Sequence, residues 1–114
     1  MCYAWKAVDG VSAFGTYTGS GDAKTVTYAG GNSFTARFII IKMTSGAQNW
    51  RIFDGFRDSG AEWTTSLVAN EDYADYSSST LGITPTSTGF TFDAGTTDGS
   101  INTNTATYIY AAFA

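Results

Sequence analysis

The residues best suited to acid–base chemistry are two glutamates in the middle of the sequence, Glu62 and Glu71. A pair of carboxyl groups can hydrolyse a glycosidic bond, one acting as the acid and the other as the base or nucleophile. Both glutamates stand near the glycine, serine and aromatic residues of predicted loops, so we expect no apolar surroundings that would raise the pKa of a catalytic acid. We therefore predict a solvated acidic loop and assign no catalytic residue.

Two acidic groups contain the residue types that bind Ca²⁺, which prefers carboxylate and carbonyl oxygens. Asp93 and Asp98 flank a Gly/Thr loop, and Glu71, Asp72 and Asp75 form a second cluster. Neither group has the spacing of an EF-hand loop. We predict structural turns at both places and assign no metal site and no cofactor.

Aromatic and acidic side chains come together in the polar middle of the chain, at Trp63, Tyr73, Asp75 and Tyr76. Sugar rings stack on aromatic faces while sugar hydroxyls need hydrogen-bond acceptors, so this composition suits glycan recognition. Tyr and Trp are also enriched where subunits meet, and they pack equally well beneath a long loop. The sequence leaves glycan binding, subunit contact and ordinary packing open.

Three charged residues follow one another closely after a strongly apolar segment: Arg51, Asp54 and Arg57. Arg51 is near enough in the sequence to pair with Asp54, or it can reach an acid on a neighbouring strand. We predict that these residues form a structural ion pair that fixes the end of a hairpin.

The composition excludes several classes of partner and of catalyst. The 114 residues include ten acidic and six basic side chains, a net charge of −4, with no basic run that could follow nucleic-acid phosphates or an anionic membrane surface. No apolar run reaches the roughly 18 residues that cross a bilayer. Without histidine and with a single cysteine, Cys2, Ser-His-Asp and Cys-His catalysis are excluded. The length fits one domain over residues 1–114.

Short apolar runs and period-two alternation, separated by Gly, Asn, Ser and Asp, predict an all-β protein. We predict an antiparallel, jelly-roll-like β-sandwich of roughly eight or nine short strands, because two packed sheets can bury this many aromatic residues. The clearest strands are predicted at residues 2–6, 13–18, 24–28, 38–41, 49–54, 65–69, 88–93 and 107–114. Segments 38–41 and 49–54 are predicted to pair as the central hairpin of the domain. Segment 70–79 is predicted to be an exposed loop, and Pro85 indicates a strand end or an edge strand. The expected core aromatics are Phe38, Trp50, Phe53, Phe90, Phe92 and Tyr110.

Six short, aromatic-rich segments carry a family resemblance: residues 14–21, 38–42, 49–54 with Arg57, 87–92, 101–102 and 107–114. In this order and spacing they resemble a β-rich module of tailed-bacteriophage virion proteins, found in tail fibres and tail-associated proteins and sometimes repeated. The chain departs from that pattern at Ala36, where the module often has a proline, and in the free-form segment 59–79. The resemblance implies a location in the virion, on the particle surface or the tail, and brings no catalytic residues.

The resemblance and the missing catalytic groups together predict a non-enzymatic structural module of a tail fibre or tail-associated protein. Its expected partners are other virion proteins and, through outward loops, a host surface glycan. A capsid decoration or cement protein is the alternative, and a carbohydrate-active enzyme module is a third interpretation. We also predict a homo-oligomer, for example a trimer, because exposed aromatic residues and unpaired terminal strands need to be covered.

Overall fold

The computed structural model describes residues 1–58, 60–72 and 74–114, and in these residues the chain forms nine β-strands. The strands are β1 (Ser12–Thr18), β2 (Lys24–Thr27), β3 (Phe38–Met43), β4 (Arg51–Asp54), β5 (Thr65–Val68), β6 (Tyr76–Ser77), β7 (Thr84–Thr86), β8 (Gly89–Phe92) and β9 (Thr107–Phe113). A single-turn helix, α1 (Gly99–Asn102), precedes β9, and short 3-10 turns occupy Ala29–Gly31 and Ser79–Leu81.

These strands form two antiparallel sheets that pack on each other. The larger sheet has the strand order β1-β9-β3-β4-β5-β6 and the smaller has the order β2-β8-β7. All pairings between adjacent strands are antiparallel. The predicted all-β sandwich is therefore confirmed, as is the β3–β4 hairpin in the middle of the larger sheet.

The hydrophobic core lies between the sheets because successive side chains of a strand point to opposite faces. Strand β3 directs Ile39 and Ile41 inward, and β9 directs Tyr108 and Tyr110 inward. From the smaller sheet, the Phe90 ring meets Tyr110 edge-on, with the ring centroids 5.4 Å apart. Aromatic pairs of this kind stabilise the contact beyond the area they bury, so they hold the two sheets together.

Two aromatic residues expected in the core lie instead on the opposite side of the larger sheet. Trp50 is 40% exposed, and Phe38 is half-buried. Strand alternation explains the difference, because Phe53 faces the core and Trp50, an odd number of residues earlier, must face away from it. The other four expected core residues are buried as predicted: Phe53, Phe90, Phe92 and Tyr110.

The ends and connections differ from the sequence prediction in two places. The strand predicted at residues 2–6 does not form, and residues 1–7 make an exposed segment without strand pairing, here called the N-terminal arm. The segment 70–79, predicted to be a loop, includes the short strand β6. Pro85 lies in β7, an edge strand of the smaller sheet, as predicted, because proline has no N–H to donate to a second neighbour.

One buried amide fixes the loops at one end of the sandwich. Asn102, the last residue of α1, is fully buried. Its Nδ2 donates to the carbonyl oxygens of Asp22 (2.9 Å) and Thr96 (2.7 Å), and its Oδ1 accepts from the backbone N–H of Ser20 (2.9 Å). The loops that follow β1 and β8 are thereby tied to the turn that leads into β9, and the buried backbone groups of those loops gain partners.

Replacing this amide is expected to destabilise the whole domain. Asn102→Ala leaves three backbone groups without the partner they have now, which should lower the free energy of unfolding by about 3 kcal/mol in urea titrations. The matched control is Asn104→Ala, which removes the same group from an exposed site and should change the free energy by less than about 0.5 kcal/mol. Equal losses in both variants would contradict the role assigned to Asn102.

Candidate functional site

The outward side of the larger sheet, here called the outer face, is apolar where a solvated sheet face is usually polar. The strand register places five apolar side chains in one row across five strands: Phe14, Ala111, Ile40, Ile52 and Leu67. All five are half-buried, and none belongs to the core between the sheets. Such a row gives the molecule a second apolar surface in addition to its core.

The N-terminal arm packs along this outer face. The Trp5 ring stacks on Phe14 of β1, with centroids 6.2 Å apart and planes 15° apart, and Tyr3 stacks in turn on Trp5 at 6.3 Å. The Ser12 hydroxyl donates to the carbonyl oxygen of Lys6, which holds the base of the arm. Tyr3 remains 73% exposed and Trp5 remains 63% exposed, so the arm covers Phe14 and adds its own aromatic surface to the outer face.

A groove of about 490 Å³ lies between the arm and Trp50. Ile40, Ile109 and Ala111 line it together with the aromatic side chains, and Lys42 is the charged residue among its described lining residues. The Lys42 ammonium donates to the carbonyl oxygen of Met43 at 2.7 Å. The groove therefore offers aromatic and aliphatic contacts and very few groups that could bond to a polar ligand.

Of the four residues expected to contact a ligand or a subunit, the described ones differ in burial: Trp63 is buried, whereas Asp75 and Tyr76 are exposed. Trp63 is only 6% exposed and belongs to the core, because its backbone pairs with Ile83 and carries the ring inward. Asp75 pairs with Arg57, and Tyr76 is 41% exposed. Tyr73 lies outside the described residues. Stacking of a sugar on Trp63 is thus inconsistent with its position.

Arg51 and Arg57 do not pair with Asp54 as predicted. Arg51 lies near Asp98, and Arg57 pairs with Asp75. In a strand, residues three apart point to opposite faces, so Arg51 faces inward whereas Asp54 lies on the outer face. Arg57 pairs with Asp75 at 3.2 Å near the surface. The Asp54 carboxylate instead accepts the backbone N–H of Phe56, which closes the turn after β4.

Arg51 is a buried cation held by polar groups from several elements. Its Nε donates to the Ser100 hydroxyl (2.8 Å) and its Nη1 to the Ser66 hydroxyl (3.2 Å), while the Asp98 carboxylate lies 3.8 Å from Nη2. The guanidinium also lies over the Tyr76 ring, 4.8 Å from its centroid. This arrangement compensates the charge that burial takes out of water, and it joins β4, β5 and β6 to α1.

Two of the acidic residues singled out in the sequence as possible metal ligands, Asp93 and Asp98, close turns. Asp98 accepts the Ser100 backbone N–H at the start of α1, and Asp93 accepts the backbone N–H of Gly95. Within the described part of the chain, no three His, Cys, Asp or Glu side chains are placed to share a metal ion. Glu62 departs from the expectation of an unperturbed acid, because partial desolvation, and then the nearby Asp93 carboxylate, raise its pKa.

The Glu62–Asp93 contact predicts a pH dependence of stability. A carboxyl pKa that is higher in the folded state than its ordinary 4.5 means that ionised Glu62 weakens the fold at neutral pH. The contribution of Glu62 to stability should therefore rise as the pH falls through the raised pKa, with its full gain present below 4.5. Glu62→Gln, which keeps a donor for Asp93, should raise Tm slightly at pH 7, and the difference from the native protein should disappear near pH 4.

Thermal unfolding measured by circular dichroism between pH 4 and pH 8 tests this. Glu71→Gln is the matched control, because it removes the same charge from an exposed position in another loop. A stabilisation at pH 7 that is as large in Glu71→Gln would assign the effect to net charge and would contradict the local contact.

Comparisons with known proteins identify a family without a described activity. In the described part of the chain, no helix is both long and apolar enough to cross a bilayer. No curated protein and no solved structure matches the sequence significantly. The family DUF7483, described as a domain of unknown function, matches residues 1–114. Because this match covers the entire sequence, the chain belongs to the DUF7483 family.

Proposed function

We propose that this protein is a non-enzymatic structural module of a tailed-bacteriophage particle, most concretely of a tail fibre or another tail-associated protein. The resemblance of segments such as 38–42 and 107–114 to virion modules supports the viral assignment. The family itself carries no described function, so the structural role is argued from the surface of the molecule.

The observation that carries the proposal is the apolar outer face of the larger sheet. Contiguous apolar patches on a folded monomer usually mark a surface where another macromolecule binds. Here the row from Phe14 to Leu67 crosses five strands, and the partly exposed aromatics Tyr3, Trp5 and Trp50 border it. Aromatic residues around an apolar centre are the composition of subunit interfaces. A rigid sandwich with such a face is suited to holding neighbouring chains in a particle.

Contact with a host glycan has weaker support than contact with protein. Sugar hydroxyls must keep hydrogen bonds when they leave water, since an unpaired buried hydroxyl is costly. The groove beside the N-terminal arm supplies stacking rings, but among its described lining residues Lys42 is the one charged group that could bond to sugar hydroxyls. Because Trp63 is buried, a glycan site in the middle of the chain would also lack its tryptophan.

Immunogold electron microscopy tests the location. Antibodies raised against the purified chain would be applied to particles prepared from cultures of the strain that encodes it. We expect gold on the tails, together with recovery of the chain from disassembled particles by mass spectrometry. Gold on the capsid lattice would favour the decoration-protein alternative, and particles that lack the chain would overturn the virion proposal.

An assay on bacterial polysaccharides tests the non-enzymatic part of the proposal. The purified chain should release no reducing ends from capsule or cell-wall polysaccharides. Cleavage that is abolished by Glu62→Gln or Glu71→Gln, but retained by the surface variant Asn104→Ala, would show that the protein is a carbohydrate-active enzyme.

A further inference from the structure

We propose that the outer face is the docking surface for a second copy of this chain, and that the two copies pack face to face through the row Phe14–Ala111–Ile40–Ile52–Leu67. The inference rests on the proposed structural role and names the partner of its apolar surface. Sheets pack readily through apolar faces about 10 Å apart, so a second larger sheet has the shape needed to cover the first. The same patch serves both copies, as a two-fold interface requires.

The size of the face is sufficient for a specific pair. Five strands spaced by about 4.8 Å give a width of about 24 Å, and strands of about six residues give a length of about 20 Å. The two faces together then cover about 1,000 Å² before the relief of the side chains is added, which reaches the lower limit for a specific interface. The N-terminal arms, with Tyr3 and Trp5 exposed, enlarge the contact.

The charges on the face favour one orientation of the pair. In β1, β3, β4, β5 and β9, the outward-facing charged side chains are Lys42 and Asp54. They lie at opposite ends of the face, because Asp54 is paired in register with Phe38, at the other end of β3 from Lys42. A two-fold axis that runs across the strands reverses strand direction and places Lys42 of each copy at the end where the other copy has Asp54. Opposite charges at the rim fix the register of an interface.

The chemistry of the groove favours a protein surface over a small polar ligand. A sugar or nucleotide would bury hydroxyls or phosphates against Ile40, Ile109 and Ala111, with few partners to replace water. A second copy presents the same aliphatic and aromatic side chains and loses no hydrogen bonds at the centre. Each half-buried side chain of the row would then be fully removed from water.

Multi-angle light scattering and sedimentation velocity over a range of concentrations test the proposal. The native chain should reach twice the 12.1 kDa of one copy. Ile109→Lys places a charge in the groove and should raise the dimer dissociation constant roughly 100-fold. The matched control is Thr25→Lys, which adds the same charge to an exposed strand position of the smaller sheet and should dimerise normally. Circular dichroism confirms that each variant is folded.

Charge reversal tests the orientation. Lys42→Asp and Asp54→Lys should each weaken the dimer. The double variant should recover most of the affinity, because it restores the opposite charges. If either change acted only by damaging the fold, the double variant would not recover. Failure of the rescue would overturn the proposed axis, and a dimer that Thr25→Lys disrupts but Ile109→Lys does not would overturn the proposed face.

A native chain that stays monomeric at high concentration would overturn the second-copy proposal. If that monomer bound the apolar probe ANS, and Ile109→Lys abolished the binding, the groove would belong to a small apolar ligand. Neither result would alter the immunogold pattern on particles, so failure of this inference is distinguishable from failure of the proposed function.

Discussion

The rest of the structure depends on the apolar character of both faces of two neighbouring interior strands of the larger sheet, β3 and β9. Their inward side chains build the core with the smaller sheet, while Phe38, Ile40, Ile109 and Phe113 project from the opposite side. A three-stranded sheet covers only one side of a six-stranded one. The smaller sheet therefore buries one apolar side of the larger sheet, whereas the other apolar side, the outer face, stays partly exposed.

Buried polar side chains hold the short loops in place around the small core. Asn102 and Arg51 each bring together elements that are distant in the sequence, one through backbone groups and the other through hydroxyls and a carboxylate. Buried polar groups of this kind stabilise a fold only when their hydrogen bonds are formed. Both residues meet that condition, so the end of the sandwich near α1 is well determined.

Two buried tyrosines at the other end of the core depend less on polar contacts. The hydroxyls of Tyr28 and Tyr110 are buried and make no hydrogen bond of normal geometry. Burial, and then the proximity of Tyr110, raise the pKa of Tyr28 to about 12. The rings contribute packing at the same place, since Tyr28 stacks on Phe34 with centroids 4.6 Å apart. The opposite end of the core is thus held by ring contacts more than by polar ones.

The sequence by itself determined the all-β class, the β3–β4 hairpin, the edge position of Pro85 and the inward direction of Phe90 and Phe92. These features follow from period-two alternation and from turn residues, which are local properties of the chain. Alternation also contained the information that Arg51 and Asp54 point to opposite faces, and counting residues along the strand would have avoided the ion pair predicted between them.

Only the tertiary structure decided which side of each strand the smaller sheet would cover. That choice buries Trp63 and leaves Trp50 partly exposed, whereas the sequence placed Trp63 in a polar segment and predicted Trp50 in the core. It also placed the arm residue Trp5 on Phe14 and united five residues from five strands into one row. Pairing between strands that are distant in the sequence decides which side chains become neighbours. The alternation within one strand does not specify that partner, because the same alternation fits several partners.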